Sequence, residues 1–222
     1  MKQPITALAV CAFLCATVSY GATITCASNI SLSVGGTSPT ITCGSLTLSN
    51  FSVFNSTGNS AGRLDISSVS EDSSGTVSLS EVPNLGANGH LDLSFVVVGG
   101  VDALDLSVGG SRAAVNEKAC ANSIPTSGML AGLCADTGGK SSVTPLGVVT
   151  AHSNTVNQPV FSDKFPVTSP IYVFKDIVTT GKNSELTVLN ESFHTPVPEP
   201  ASFALFGAGL ATLGLIRRRR KA

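Results

Sequence analysis

The chain has 222 residues, 12% of them charged, and a formal net charge of −1. So low a charge density argues against self-repelling disorder, and the length suits one domain plus processing segments better than two domains. The near-neutral total conceals a segregation: residues 1–21 contain only Lys2, the last six residues contain five cations, and residues 22–200 hold seven cations against all fourteen acids, a net −7. An acidic middle repels phosphate backbones and anionic lipid, which excludes nucleic acid as its expected partner.

Met1 and Lys2 precede an apolar run, 5–18, and then Ser19, Tyr20 and Gly21, with small residues at the −3 and −1 positions of a cut after Gly21. This pattern predicts a secretory signal peptide over 1–21 that takes Cys11 and Cys15 with it. The segment 22–195 is then expected to be an exported domain. It is rich in Ser, Thr and Gly, has no Trp, and has Tyr172 as its single Tyr, so its core must rest on Val, Leu, Ile and a few Phe.

Period-two alternation dominates this segment and long helical periodicity is absent. Strands are expected at 45–51, 76–80, 91–98, 103–108, 143–150, 171–178 and 184–188. Many short strands broken by Gly, Pro, Asn and Ser predict an all-β fold, an antiparallel β-sandwich of about eight to ten strands. A two-residue turn at Gly99 and Gly100 would set Phe95 opposite Leu104, Leu93 opposite Leu106 and Leu91 opposite Val108, with Asp92 and Asp105 facing solvent. The expectation is therefore a 91–108 hairpin.

Export places Cys26, Cys43, Cys120 and Cys134 in an oxidising compartment, where an even count predicts two disulfides. Of three possible connectivities, Cys26–Cys43 and Cys120–Cys134 are preferred, because each short loop would contribute about 3 kcal/mol in the chain-entropy picture. A zinc centre is disfavoured, since no Cys-x-x-Cys pair and no His at ligand spacing accompanies them. No metal or cofactor is expected.

The tail has three parts. Val197, Pro198, Glu199 and Pro200 are followed by an uncharged apolar run, 201–216, and then by Arg217, Arg218, Arg219, Arg220 and Lys221. Sixteen residues of helix span about 24 Å, which just crosses a membrane with some thinning or snorkelling, so a single C-terminal transmembrane helix is expected. The five cations act as a cytoplasmic stop-transfer signal and leave the domain outside the inner membrane. The order and spacing of these parts make residues 197–222 resemble the PEP-CTERM sorting signal. That resemblance implies an exosortase, a membrane transpeptidase-like cysteine protease, as partner, cutting at the Pro-Glu-Pro and passing the protein to the cell surface or an exopolysaccharide matrix. The prolines suit such a role, because they hold the segment extended and out of helix.

Chemistry elsewhere is sparse. No Gly-x-Ser-x-Gly elbow and no Cys–His pair is present, and His90, His152 and His194 stand singly in polar, loop-like contexts, so no catalytic residue is expected. Carboxylates are available for glycoside hydrolysis, but an aromatic platform for the sugar is nearly missing. Asp92, Asp102 and Asp105 could supply calcium oxygens, yet read better as solvated strand positions. The resulting expectation is a non-enzymatic surface or matrix protein, with a structural or adhesive role linked to exopolysaccharide. The alternative is a soluble glycan- or calcium-binding β-module.

Overall fold

The computed structural model describes residues 24–34, 36, 38–54, 63–85, 87–125, 132–138, 140–153 and 161–196. The expected signal peptide, Val197 to Pro200 of the sorting segment, the apolar run 201–216 and the cations 217–221 lie outside the described residues. Among the described residues no helix is long and apolar enough to cross a membrane.

The described residues form twelve strands: β1 (Ile24–Ser33), β2 (Ile41–Cys43), β3 (Leu46–Phe54), β4 (Arg63–Glu71), β5 (Val77–Asn84), β6 (His90–Val98), β7 (Val101–Ser111), β8 (Ala113–Cys120), β9 (Gly147–Ser153), β10 (Phe161–Thr168), β11 (Ile171–Thr179) and β12 (Glu185–His194). They build two six-stranded antiparallel sheets, in the orders β1-β4-β5-β12-β7-β10 and β2-β3-β6-β11-β8-β9. Neighbours in the chain pair only in β2–β3, β4–β5 and β8–β9. The other connections cross between sheets.

Alternation decides which side chains enter the core. In β3, Leu46, Leu48, Phe51 and Val53 are buried, and in β7 the buried set includes Leu104, Leu106 and Val108. Each fully buried Leu, Val or Phe contributes about 1.5–3 kcal/mol. At the centre, the Phe95 ring stacks on Phe51 at 5.0 Å and meets Phe193 edge-on at 5.9 Å.

Both flanks of the sandwich are tied. On one, the Cys26–Cys43 disulfide joins edge strand β1 to edge strand β2 of the other sheet. On the opposite flank the Asp163 carboxylate of β10 accepts a 2.8 Å hydrogen bond from the Val148 backbone N–H of β9, occupying a donor of an edge strand. The second disulfide, Cys120–Cys134, holds the β8–β9 connection across the outer face of its sheet. There Phe174 is buried although it points away from the core.

The 91–108 hairpin does not form. β6 pairs with β11 and β3, whereas β7 lies in the other sheet and pairs with β12 and β10. Gly99 and Gly100 make an arch between sheets. Gly99 has φ 128°, and a Cβ there would lie 2.4 Å from Leu46 Cδ2 and 2.7 Å from the Ser45 carbonyl oxygen. Alternation fixed the inward face of each arm correctly. It could not tell a partner beside a strand from one opposite it across the core, because both bury the same residues.

Candidate functional site

Among the described residues, three groups of polar side chains could carry chemistry. The first lies inside the sandwich. Lys175 shares the inward face of β11 with Ile171, Val173 and Ile177, and Glu117 is its direct cross-strand neighbour on β8. The opposite sheet contributes Glu81 of β5 and Glu191 of β12, which are diagonal neighbours. All four side chains are fully buried. Lys175 Nζ stands 2.6 Å from Glu81 Oε2 and 2.5 Å from Glu191 Oε2, and 5.5 Å from the centre of the Phe95 ring.

One cation therefore faces three carboxyls in a low-dielectric interior. Burial pushes Glu81 up to about 7, against the opposing pull of Lys175. Burial, and then the neighbouring Glu191, push Glu117 well above the ordinary carboxyl range. Burial alone would weaken the Lys175 ammonium, but Glu191, Glu81 and Glu117 override it and hold the amine above its usual value.

The second group lies on the outer face of the β11 sheet. A row across that sheet runs Phe54, Asp92, Asp176, Asn116 and Thr150, from β3 to β9. Carboxylates directly opposite each other repel. His90, two residues before Asp92 on the same face, inserts between them: its Nε2 donates to Asp176 Oδ1 at 2.7 Å and lies 3.4 Å from Asp92 Oδ1. One ligand atom from each of these residues falls within 4.8 Å of the others, a geometry that could hold a divalent ion. An imidazole with two carboxylates suits a transition ion better than calcium, which takes oxygen ligands alone. Further along the same face, Asn50, Ser52, Ser94, Ser123 and Tyr172 line an open cleft of about 310 Å³.

The third group is on the other sheet. His194 of β12 donates from Nε2 to Asp105 Oδ2 at 2.5 Å, and its Nδ1 is 3.5 Å from Thr76 Oγ1. Asp, His and hydroxyl follow one another here in the order of a nucleophile relay. The last separation is at the outer limit of a hydrogen bond, however, and the Thr76 hydroxyl sits closer, 2.9 Å, to Ser74 Oγ.

Several expectations change with this geometry. His90, His152 and His194 are on strands β6, β9 and β12, not in loops. Two of them face carboxylates. Asp92 is fully buried, not solvated, and it joins His90 and Asp176 and not Asp102 and Asp105. Lys175, Glu81, Glu117 and Glu191 were not singled out from the sequence. A signal was present, since each occupies an in-phase apolar position: Lys175 between Val173 and Ile177, Glu81 after Leu79, Glu117 between Val115 and Ala119, and Glu191 between Leu189 and Phe193.

β12 ends at His194, and the next described residues are Thr195 and Pro196. From there, residues 196–221 match the family described as the PEP-CTERM protein-sorting motif. The chain ends in a PEP-CTERM sorting motif. The motif is consistent with an exosortase substrate, and it implies an exported, membrane-anchored precursor that is processed and released to the surface. No curated protein and no solved structure matches the chain. The β-rich sandwich that precedes the motif thus takes its placement from the tail and its chemistry from its own residues.

Proposed function

We propose that the chain is a non-enzymatic surface or matrix protein whose sandwich has a structural or adhesive role linked to exopolysaccharide. The observation that carries this reading is the sorting motif, which begins two residues after the last strand and implies release of the sandwich to the surface. The cleft on the outer face of the β11 sheet supports a glycan contact. It sets hydroxyl and amide groups around Tyr172, a hydrogen-bonding surface with one aromatic face. The construction also suits exposure outside the cell: two disulfides, tied flanks and a continuous core.

Co-sedimentation of the purified chain with its host's exopolysaccharide tests the reading. Binding should fall at least tenfold in Tyr172→Ala, with thermal unfolding unchanged. Retention of full binding by this variant would remove the cleft from the account. Hydrolysis of the polysaccharide that is lost in His194→Ala would instead favour an enzyme.

A second reading rests on His90, Asp92 and Asp176: a module that binds a divalent ion on the same face. It requires that zinc or manganese raise the unfolding temperature of the wild type and not that of His90→Ala, since a ligand stabilises only a fold that binds it.

A further inference from the structure

The interior cluster plays no part in the surface reading, and it has the arrangement of a condensation site. An amine and a carboxyl group give an amide by loss of water. The reaction is favoured by fixed contact, a proton acceptor for the amine, a proton donor for the departing oxygen, and dry surroundings. All four are present. Lys175 Nζ touches both Glu191 Oε2 and Glu81 Oε2, the four side chains are wholly buried, and Phe95 covers the amine. Glu117, directly across from Lys175 on β8, brings a further fully buried carboxyl to the same cluster.

We propose that Lys175 and Glu191 become joined by an intramolecular amide bond, with Glu81 as proton acceptor and Glu117 as proton donor. Lys175 passes one proton to the Glu81 carboxylate, and Glu117 passes its own to an oxygen of Glu191. The free amine attacks Glu191 Cδ, the N–C bond forms, and one C–O bond of Glu191 breaks. The oxygen leaves as water with two of the four protons held by the amine and Glu117. One proton remains on the amide nitrogen, and the last is shared between Glu81 and Glu117. No oxidant, reductant or other reactant is needed.

The ammonium is the stable form of Lys175, so the step passes through the less populated, proton-transferred pair. A single event per molecule is enough, and the fold has already fixed the reacting atoms in contact. The product is a covalent strut between β11 and β12, one strand in each sheet. β12 is the strand that leads into the sorting motif, so the strut fastens the last strand before it to the opposite sheet. The strut does not depend on what the outer face binds.

The test is the mass of the full purified chain after reduction of its disulfides. We expect one molecule of water less than the sequence requires. In a tryptic digest, cleavage after Lys175 should be absent and its peptide should be linked to the one containing Glu191. Glu117→Gln keeps the shape of the side chain but has no acidic proton to give, and should restore both the full mass and the cleavage while circular dichroism shows the sheets intact. A wild-type protein with full mass and normal cleavage after Lys175 overturns the bond. A missing water mapped to any other residue does the same, and Glu117→Gln still one water short overturns the assigned proton donor.

Discussion

Lys175 is the residue on which most of the interior electrostatics depend. Buried ion pairs add little net stability over apolar residues of the same shape, but removing one partner strands the other in a low dielectric. Where the pair is left unjoined, as in Glu117→Gln, Lys175→Met should therefore destabilise the fold by about 3–5 kcal/mol, read as a lower urea midpoint. Replacing Glu81 and Glu191 by Gln in the same protein should recover much of that loss. The carboxyls also set the response to pH. Glu81 titrates near 4.5 in an unfolded chain and near 7 in the fold. Between these values the folded state holds the extra proton, so this residue's stabilisation is complete below about pH 4.5 and is lost as pH rises through 7. Glu117 has the same sign. Burial, the largest cause in both, is unaffected by formation of the amide. Two exposed acids act in the opposite direction. Asp72, held down by the Ser74 hydroxyl and by backbone N–H groups of Ser74 and Thr76, and Asp65, held down by Ser31 and Arg63, stabilise above their usual range and lose this as pH falls. The sum is a stability maximum on the acid side of neutrality, expected as higher urea midpoints near pH 5 than near pH 8. Glu81→Gln should flatten the slope; an unchanged slope would exclude Glu81 as its source.

At the scale of strands and turns, the sequence disclosed faces better than partners. Seven strands could be placed from alternation, and each corresponds to a strand of the fold: β3, β5, β6, β7, β9, β11 and β12. The five that escaped have physical reasons. β4 breaks its period at a bulge between Ile66 and Ser68, and β1 carries another bulge near Cys26. β10 contains Pro166, β8 places Glu117 in the core, and β2 has only three residues. Pairing order was out of reach for the reason seen at Gly99, where an arch and a hairpin bury the same side chains. The arch can be tested directly. Gly99→Ala introduces a methyl group within contact of Leu46 and the Ser45 carbonyl at a positive φ. It should cost about 1–3 kcal/mol, whereas Gly138→Ala, which meets nothing closer than 3.6 Å, should stay near wild type. Equal midpoints for the two variants would mean that the arch relaxes freely.

For the molecule as a whole, the tail was legible because its parts are local in sequence: a Pro-Glu-Pro, an apolar run and a block of cations, each with a meaning at fixed spacing. The sites of the sandwich were not, since His90 and Asp176, or Lys175 and Glu81, lie 86 and 94 residues apart and meet only through the pairing order. Placement and binding can therefore be tested separately. The motif implies that the mature protein lacks its membrane segment, so the protein from the host's extracellular fraction should lack both residues 1–21 and the chain beyond the Pro198-Glu199-Pro200 segment. Mass spectrometry of membrane and extracellular fractions checks this. The same fractions carry a second comparison. If the outer-face cleft retains the processed protein in the matrix, Tyr172→Ala should be cut at the same place and shift from the matrix to the surrounding medium. A variant that remains membrane-bound with 217–222 attached would mean that the substitution had acted on processing. A variant that is cut yet held in the matrix as firmly as wild type would place the adhesive contact elsewhere on the sandwich.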